Sequence, residues 1–469
     1  MRYSGGMKTF KPYNPDQLFL LPPALRDWLP EGHLALFLSD VVDALDLTPI
    51  LAAYEGGDGR GQPPYHPALM VKLLLYAYCT GTPSSRQIEK ATYEEVPYRV
   101  LAANQHPDHD TLAAFRQQHL QALAALFTEV LELCRRAGLV TLGHVALDGT
   151  KVLANASKHK AMSYGRMGEA EQQLEQGVAA LLAQAQQVDA AEDTQYGKGK
   201  RGDELPAELA RRESRLQRIR EAQAALEAEA RAEAVEAAAA AEAKRAERER
   251  QAAETGRNPK GRPPRVPDPD QAQPEPKAQR NFTDPESRIM KDGATKSFVQ
   301  AYNAQAAVDG EAQVIVAAAV TQAANDKQQL VPMLTQVAAN CGTAPAVATA
   351  DSGYFSEAQV TAPALAGTDL YVAPDRQKHG AGPPTPPPAP TGGTVIAAMR
   401  AKLQTPAGHA TYALRKAIVE PVFGQIKDAR GFRRFSFRGL AKVQAEWLLI
   451  CLTHNLLKLF RAGSPLQAA

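Results

Sequence analysis

The chain has 469 residues, of which 44% are hydrophobic and 22% are charged, and its formal net charge is +2. This length and composition predict a soluble, globular protein of two or three domains with a sizeable core. The four cysteines show no paired spacing, which argues against a zinc ribbon or a disulfide framework and fits a reducing cytoplasm. The N-terminal residues do not resemble a signal peptide, and no run of about 18 apolar residues occurs, so we expect no membrane association.

Residues 15–140 are predicted to form an all-α N-terminal domain. Apolar residues recur at helical spacing from Leu34, Pro67 stands at the start of another helix, and Asp110 begins a third. Helices joined by tight turns between residues 67 and 119 are compatible with a helix-turn-helix that binds DNA. An ordinary helical bundle explains the same pattern, so both interpretations stay open here.

Residues 165–255 are predicted to form an inserted α-helical hairpin. Two heptad-like apolar series flank a glycine-rich turn at 196–202, and no glycine or proline interrupts residues 207–254. Apolar series that face each other across a turn indicate antiparallel helices. Because alanine dominates the second helix, its packing seam is thin, and we assign this segment no chemistry. The apolar series are Leu174, Val178, Leu181, Ala185 and Val188, then Leu209, Leu216, Ile219, Leu226 and Ala230.

Residues 256–280 contain seven prolines and no apolar periodicity. This composition predicts a basic linker that is extended or disordered. Within it, residues 260–265 resemble a short Gly-Arg-Pro hook of the kind that lies in A·T-rich minor grooves, which attract inserted arginine. A solvated linker without DNA contact is the alternative.

Two short apolar runs each end in an aspartate. Asp148 follows a run in Gly-His-Val-Ala-Leu-Asp-Gly-Thr, and Asp351 follows one in Ala-Val-Ala-Thr-Ala-Asp-Ser-Gly. Both runs are typical of buried strands. A strand carries its last side chain to the edge of the sheet, where ligands bind open α/β sheets. The two aspartates are therefore candidates for one site.

The segment between the two aspartates also predicts strands. Residues 298–308 and 313–320 are apolar runs separated by Asp309-Gly310, which is typical of a hairpin. Residues 141–164 and 281–461 are therefore predicted to form one α/β domain, with a mixed sheet and flanking helices.

A third acid lies in a basic helix near the C-terminus. Lys416, Glu420 and Lys427 share roughly one helix face. Residues 412–461 contain ten Lys and Arg against three Asp and Glu, whereas the whole chain is only +2. This pattern fits either a salt-bridged surface helix or a metal-bound catalytic acid beside a row of phosphates.

The three acids suit a divalent cation. Two strand-end aspartates and one helical glutamate are hard oxygen ligands of the kind that Mg²⁺ prefers. Other acids are explained by local structure, since Asp284 and Asp309 lie in turns and Asp326 lies at a helix start. No Gly-x-Ser-x-Gly elbow is present, so the sequence does not support a nucleophile triad.

The sequence around these acids resembles a known family. The segments Ala-Leu-Asp-Gly-Thr at Asp148, Ala-Asp-Ser-Gly-Tyr at Asp351 and 412–427 around Glu420 resemble the three acidic motifs of DDE transposases from bacterial insertion sequences. Residues 446–458 resemble the closing helix of those enzymes. The motifs occur in the family's order, and the resemblance covers most of the chain. It implies a ribonuclease-H-like catalytic core.

The resemblance implies an enzyme that binds element ends, cleaves phosphodiester bonds and transfers strands by two-metal catalysis. Asp148 would bridge the two ions, Asp351 and Glu420 would complete the two sites, and Mg²⁺ would be the cofactor, with Mn²⁺ able to substitute. The implied partners are double-stranded DNA, as terminal inverted repeats and target, and a second copy of the chain in the DNA complex. The implied location is the cytoplasm, on the nucleoid when DNA is bound.

The resemblance also implies a set of DNA-contacting residues. The family's spacing places a cation one residue nearer to Glu420 than Arg415, at the position of Lys416, so either cation could serve the acids. A nuclease with the same core and a DNA-binding regulator with a decayed core remain alternative functions. The implied DNA contacts are Tyr412, Arg415, Lys416, Lys427, Arg430, Arg433, Arg434 and Arg438.

Overall fold

The computed structural model describes residues 24–54, 63–196, 207–256, 261–293, 295–375 and 394–463. The chain forms two compact units, one ending at His119 and the other spanning Leu120–Ala462. Three sequence-based predictions fall outside the described residues: the start of the N-terminal domain before residue 24, the turn between the hairpin helices, and Lys260 of the hook-like segment.

The first unit is helical wherever the structure describes regular secondary structure. Its most buried helix starts at Pro67. Proline has no backbone N–H, so it leaves no unpaired donor in the first turn. The His66 side chain caps this helix by accepting from the Ala68 N–H at 3.2 Å. The helix ends at Gly81, whose φ of 77° is the left-handed conformation common after helix C-termini. The helices of this unit are α1 (Leu34–Ala44), α2 (Thr48–Leu51), α3 (Pro67–Thr80), α4 (Ser85–Glu94), α5 (Val96–Leu101) and α6 (His109–Gln118).

The second unit contains a mixed sheet and a separate two-stranded ladder. The strands of the mixed sheet and the ladder are β1 (His144–Leu153), β2 (Ala161–Ser163), β3 (Gln279–Asn281), β4 (Arg288–Lys291), β5 (Phe298–Asp309), β6 (Ile315–Thr321), β7 (Val347–Ala350) and β8 (Asp369–Val372).

The mixed sheet has an antiparallel half and a parallel half that meet at β1. Strand β5 pairs antiparallel with β1 on one edge and with β4 and β6 on the other. Strand β7 is parallel to β1, and β8 is parallel to β7. The β5–β6 hairpin is the one that the sequence predicted, and the prediction of a mixed sheet with flanking helices is confirmed.

The centre of the sheet is covered on both faces. Residues 300–309 of β5 are all buried, a pattern that requires packed helices on both sides of the strand. Among the described residues, no helix combines the length and the apolar character needed to cross a bilayer. The helices of this unit are α7 (Leu120–Arg136), α8 (Tyr164–Tyr196), α9 (Ala207–Thr255), α10 (Leu330–Cys341), α11 (Glu357–Val360), α12 (Val395–Gln404), α13 (Pro406–Gly424) and α14 (Leu440–Arg461).

Helix α7 packs against α14 within the second unit. Ala124 on α7 lies in one apolar cluster with Ala445 on α14. The Asn455 side chain of α14 in turn accepts from the Ile315 N–H and donates to the Ile315 carbonyl, both at 2.8 Å. The boundary predicted near residue 140 thus differs from the division between the compact units, because α7 buries its apolar face on the helix that covers β6.

Helices α8 and α9 pack against each other near their connection to the sheet. Met167 on α8 and Ile219 and Leu226 on α9 form one buried cluster. Arg220 on α9 adds an ion pair with Glu171 on α8 at 2.7 Å. Ile219 and Leu226, two residues of the predicted apolar series, thus lie in this buried cluster, whereas the inserted hairpin and its role stay predictions.

Part of the predicted linker lies along α9. The Arg245 Nε donates to the Pro264 carbonyl at 2.8 Å, and the Arg248 guanidinium donates to the Gly261 carbonyl at 2.7 Å. These contacts hold residues 261–264 of the predicted extended or disordered linker against the helix. DNA contact by residues 260–265 stays a prediction.

Candidate active site

Asp148 and Asp351 lie side by side on neighbouring strands. Strands β1 and β7 run parallel with Leu147 opposite Ala350, so the next residue along each strand is an aspartate. Asp148 Oδ1 accepts from the Gly149 N–H, and Asp351 Oδ1 accepts from the Gly353 N–H, each at 2.8 Å. The parallel register therefore brings together two acids that are distant in the sequence. Asp351 follows the end of β7 as expected, whereas Asp148 lies within β1, which continues to Leu153 and does not end at the acid.

The Asp148 carboxyl is difficult to ionise in this environment. Burial is the largest cause and raises its pKa from 3.8 to about 7. The Arg415 guanidinium lowers this pKa, whereas the carboxylates of Asp351 and Asp326 raise it further. Full ionisation of Asp148 near neutral pH therefore needs more positive charge than Arg415 supplies.

Helix α13 brings a cation and the third acid to Asp148. Arg415 Nη1 lies 3.3 Å from Asp148 Oδ2, and Arg415 Nη2 lies 3.8 Å from Glu420 Oε1. The Arg415 guanidinium also lies 5.9 Å from the centre of the Tyr412 ring. Lys416 is exposed and makes no ion pair within the described part of the chain. The structure thus brings Arg415, and not Lys416, to the acids, although the family's spacing favours Lys416.

A proline fixes the helix directly after Glu420. Pro421 lacks an N–H and leaves the Ala417 carbonyl without its usual helical donor. The Gln313 Nε2, from the turn between β5 and β6, donates to that carbonyl at 2.9 Å. The turn therefore compensates for the proline and ties α13 to the sheet next to Glu420.

Lys427 joins the end of α13 to β1. It lies in a π-helical turn at Gln425–Ala429, and its Nζ donates to Thr150 Oγ1 and to the Lys151 carbonyl, each at 3.0 Å. Burial lowers the pKa of Lys427. Lys427 thus holds β1, two residues beyond Asp148, against the segment after α13, and its contact with phosphate stays a prediction.

A fourth carboxylate, Asp326, lies at the same site. Its Oδ1 accepts from Asn303 Nδ2 and from Gln305 Nε2, each at 2.6 Å. The sequence interpretation of Asp326 as a helix-start residue is wrong, because α10 begins only at Leu330 and Gln329 takes the N-cap position. Local helix-capping rules therefore did not identify the real partners of this acid.

A signal for Asp326 was present in β5. Asn303 and Gln305 are two amides at alternate positions of an otherwise apolar strand, so they face the same side of the sheet. Both are completely buried, and buried amides require polar partners. Such a pair predicts a polar or acidic group above the strand.

The other competing acids have structural roles. Asp309 accepts from the Leu142 N–H at 2.7 Å and from the Glu311 N–H at 2.9 Å. Asp284 accepts from the Tyr302 hydroxyl at 2.8 Å and from the Gly439 N–H at 3.1 Å. Both acids stabilise turns or chain crossings, in agreement with the sequence interpretation.

One expected DNA contact is buried in the structure. Arg430 donates from Nη1 to Thr453 Oγ1 at 2.9 Å and from Nη2 to the Ile450 carbonyl at 3.2 Å. These contacts link the segment after α13 to α14. Arg430 therefore stabilises the fold here, and we do not include it in a DNA-contacting surface.

The remaining expected cations are exposed. Leu153, the last residue of β1, pairs with Arg434, and the Arg434 side chain is open to solvent. Arg433 forms an ion pair with Asp428, and Arg438 Nε donates to the Asn155 carbonyl at 2.9 Å. The residues that stay available on this surface, which we call the basic segment, are Lys416, Arg433, Arg434 and Arg438.

The donor set fits a hard divalent cation. Asp148, Asp351, Asp326 and Glu420 supply carboxylate oxygens, the ligands that Mg²⁺ and Mn²⁺ take. Within the described residues, however, no three ligating side chains already stand together as a metal centre. The positive charge between Asp148 and Glu420 is instead that of Arg415.

Comparison with known families gives two matches. Residues 23–118 match a family described as a transposase domain, DUF772, and residues 268–456 match a family described as a transposase DDE domain. The second range includes Asp326, Asp351 and Glu420, whereas Asp148 lies in neither range. No curated protein and no solved structure matches the chain.

Proposed function

The chain belongs to the DDE transposases of insertion sequences, enzymes of metal-dependent DNA cleavage and strand transfer, and we propose that it binds the terminal inverted repeats of its own element, cuts there and joins the freed ends to target DNA. The observation that carries the proposal is the placement of Asp148 and Asp351 side by side on parallel strands, with Glu420 joined to them through Arg415.

We also infer that the core is ribonuclease-H-like. Three antiparallel strands, β6, β5 and β1, continue into two parallel strands, β7 and β8. The strand that carries Asp148 lies at the centre of this order, and the helix that carries Glu420 packs on it. The strand directions support the fold that the DDE family implies.

Asp148, Asp351 and Glu420 would hold Mg²⁺, with Mn²⁺ as a substitute. Bound divalent ions in such a site supply an activated water and neutralise the charge that develops on the leaving oxygen. Burial raises the pKa of Asp148 to about 7, so a divalent cation bound there would replace the proton and stabilise the ionised carboxylate. Arg415 would then release or share one of its two acid contacts.

The basic segment would hold the DNA backbone beside the acids. Arg434 pairs with Leu153, five residues along β1 from Asp148, or about 17 Å in an extended strand. Exposed arginines at that distance can bind phosphates that flank the reacting one. The proposed DNA path therefore starts at the acids and follows the end of β1.

A second basic surface lies where α9 packs near β2. A cavity of about 790 Å³ there is lined, among the residues that the structure describes, by five cationic or titratable side chains and by no acid. This surface, which we call the hairpin cleft, supports DNA contact by the base of the helical hairpin. Its charged lining consists of His159, Lys160, Arg211, Arg215 and Arg218.

We further propose that two copies of the chain assemble on DNA. Joining two element ends to one target requires a complex that holds both ends. Light scattering or cross-linking with one-end and two-end DNA would measure the assembly. A complex that stays monomeric with paired ends would contradict the proposal.

A strand-transfer assay tests the proposed function. Purified protein is given pre-cut inverted-repeat ends, taken from the sequence that flanks the gene, together with target DNA and Mg²⁺. We expect joined products that require the metal. Cleavage without joining would instead indicate a nuclease, and DNA binding without either reaction would indicate a regulator with an inactive core.

A further inference from the structure

The Asp326 carboxylate lies close to Gly149, which follows Asp148 in β1, and to Gly353 in the loop that carries Asp351. A Cβ built on Gly149 would lie 2.8 Å from Asp326 Oδ1 and would overlap the Gln305 amide. A Cβ built on Gly353 would lie 2.9 Å from Asp351 Oδ1 and 3.4 Å from Asp326 Oδ2. The position that a Cβ on Gly353 would occupy is thus within 3.4 Å of the Asp351 and Asp326 carboxylates. Because glycine has no Cβ, this position is open.

The orientation of Asp326 is fixed from one side. The Tyr354 hydroxyl donates to Gln305 Oε1, which turns the Gln305 amide nitrogen towards Asp326 Oδ1. The Trp447 Nε1 donates to the Gln305 carbonyl at 2.9 Å. Carboxylates that ligate metal ions are commonly oriented by such a shell of hydrogen bonds.

The other oxygen of Asp326, Oδ2, has no hydrogen-bond partner among the described residues. Both amide donors reach Oδ1, and no hydrogen bond or ion pair to Asp326 Oδ2 occurs among the residues that the structure describes. The carboxylates of Asp326, Asp148 and Asp351 act on Lys151, whose pKa is lowered mainly by burial, and Lys151 makes no ion pair within the described residues. Asp326 therefore adds a negative charge to a site in which Arg415 already serves Asp148 and Glu420.

A second buried polar atom lies near Asp326, on the side of Gly149. Asn303 is completely buried, and its Oδ1 has no hydrogen-bond partner. That atom would lie 3.0 Å from a Cβ on Gly149, on the side where Asp326 Oδ1 also lies. A buried amide oxygen without a donor is costly unless a cation or a water satisfies it.

We propose that Asp326 is a fourth carboxylate of the divalent-cation centre, where its Oδ2 and Asp351 bind the same ion. Asn303 and Gln305 are the positioning residues that hold its other oxygen. The inference rests on the proposed function only in taking Asp351 as a metal ligand. It extends that function by adding a ligand from the loop between β6 and α10.

The test measures Mn²⁺ binding to the full-length protein without DNA, by isothermal titration calorimetry and by the electron paramagnetic resonance signal of free Mn²⁺. In Asp326→Asn the amide oxygen can still accept from Asn303 and Gln305, so the fold is kept while the charge is lost. We expect Mn²⁺ affinity to fall by about tenfold or more, or one bound ion to be lost, with thermal unfolding of the metal-free protein unchanged.

Two further variants make the result decisive. Asp351→Asn should weaken Mn²⁺ binding by a similar factor, and its failure to do so would contradict the proposed function itself. Asp369→Asn, at the exposed start of β8, is the matched control and should leave Mn²⁺ affinity unchanged. Wild-type affinity in Asp326→Asn, together with a loss in Asp351→Asn, overturns only the inference about Asp326.

Misfolding of Asp326→Asn would not remove the test. Asp326→Glu keeps the negative charge but places its oxygens one methylene further from the backbone of residue 326, so they are displaced from their present positions. We expect at least about tenfold weaker Mn²⁺ binding in this variant too, because ligand position determines affinity in carboxylate centres. Unchanged Mn²⁺ affinity and stoichiometry in Asp326→Glu would overturn the inference.

Discussion

Arg415 Nη1 lies 3.3 Å from Asp148 Oδ2, and this contact joins the helix of the third acid to the strand of the first. The Arg415 side chain is 10% exposed, so the charge pair is largely shielded from solvent. Charge pairs with little solvent screening act more strongly than surface pairs. One guanidinium thus contacts the two acids Asp148 and Glu420.

The three proposed ligands can be tested by removing each carboxylate. Asp148→Ala, Asp351→Ala and Glu420→Ala should each abolish DNA cleavage, because the metal site is lost, while binding of the element end changes little. Cleavage is measured on a labelled end fragment and binding by gel shift. Near-normal cleavage by Glu420→Ala would exclude it as the third ligand.

Arg415 and Lys416 should differ in their effects. Arg415→Gln should lower the rate of cleavage about tenfold or more, since Asp148 and Glu420 lose their shared partner. Lys416→Gln should change DNA affinity but leave the single-turnover cleavage rate within about twofold, since it contacts neither acid. The reverse result, a slower rate only in Lys416→Gln, would support the family's spacing over the geometry.

Lys427 should contribute to stability as well as to activity. Lys427→Met removes the donor to Thr150 Oγ1 and to the Lys151 carbonyl, so we expect the free energy of unfolding to fall by about 1–3 kcal/mol. Urea unfolding followed by circular dichroism measures the change. Arg434→Met is the control and should stay within about 0.5 kcal/mol of the wild type, because its side chain is exposed.

The two basic surfaces should each contribute phosphate contacts. Neutralising Arg433 and Arg434 in the basic segment, or Arg215 and Arg218 in the hairpin cleft, should weaken DNA binding similarly for all sequences. The slope of log affinity against log salt should flatten by about one unit for each lost contact. Binding titrations at several salt concentrations measure the slope. An unchanged slope would show that the substituted surface makes no phosphate contacts. Arg433 should contribute less than Arg434, since Asp428 already pairs with it.

His454 should make the fold sensitive to acid. Burial is the main cause that lowers its pKa from 6.5 to about 3, and the charges of Arg430, Lys458 and Arg461 act in the same direction. The folded state thus favours the neutral ring, so its contribution is complete above pH 6.5 and falls as the pH decreases towards 3. At pH 5 the loss is about 2 kcal/mol.

The measurement is urea unfolding between pH 7.5 and pH 5. His454→Gln cannot titrate in this range and can still donate to the Gln313 carbonyl, which lies 3.0 Å from the wild-type Nε2. Its stability should fall less than that of the wild type over the same range. Equal losses in the two proteins would assign the acid sensitivity to other groups, such as His144, whose pKa burial also lowers.

The sequence predicted those parts of the site that depend on local pattern. The apolar runs before Asp148 and Asp351 form strands β1 and β7, although β1 continues through Asp148 to Leu153 and only Asp351 follows the end of its strand. The choice between Arg415 and Lys416 could not be made from spacing, because a helix that contains Pro421 and ends in a π-helical turn departs from regular geometry. The contacts of Arg415 with Asp148 and Glu420 therefore depend on the position of α13 against the sheet, which spacing alone does not give.

Asp326 and Arg430 show a different limit. Asp326 precedes a helix, so local rules explain it, but its partners Asn303 and Gln305 lie on a strand more than 20 residues away. Arg430 lies in a run of positive charge, which indicates a solvated surface, yet α14 buries it. Neither tertiary contact leaves a signal in the neighbouring sequence.

The turn between β5 and β6 has a consequence for how this protein can vary. Gln313 in this turn donates to the Ala417 carbonyl and accepts from Lys458 Nζ at 2.8 Å, so one side chain connects α13 and α14. Surface hairpins usually accept insertions without harm. An added residue here would displace Gln313 and shift Glu420 relative to the strand-borne aspartates. This turn is therefore a length-restricted element of the reaction centre, although it contains none of the proposed ligands.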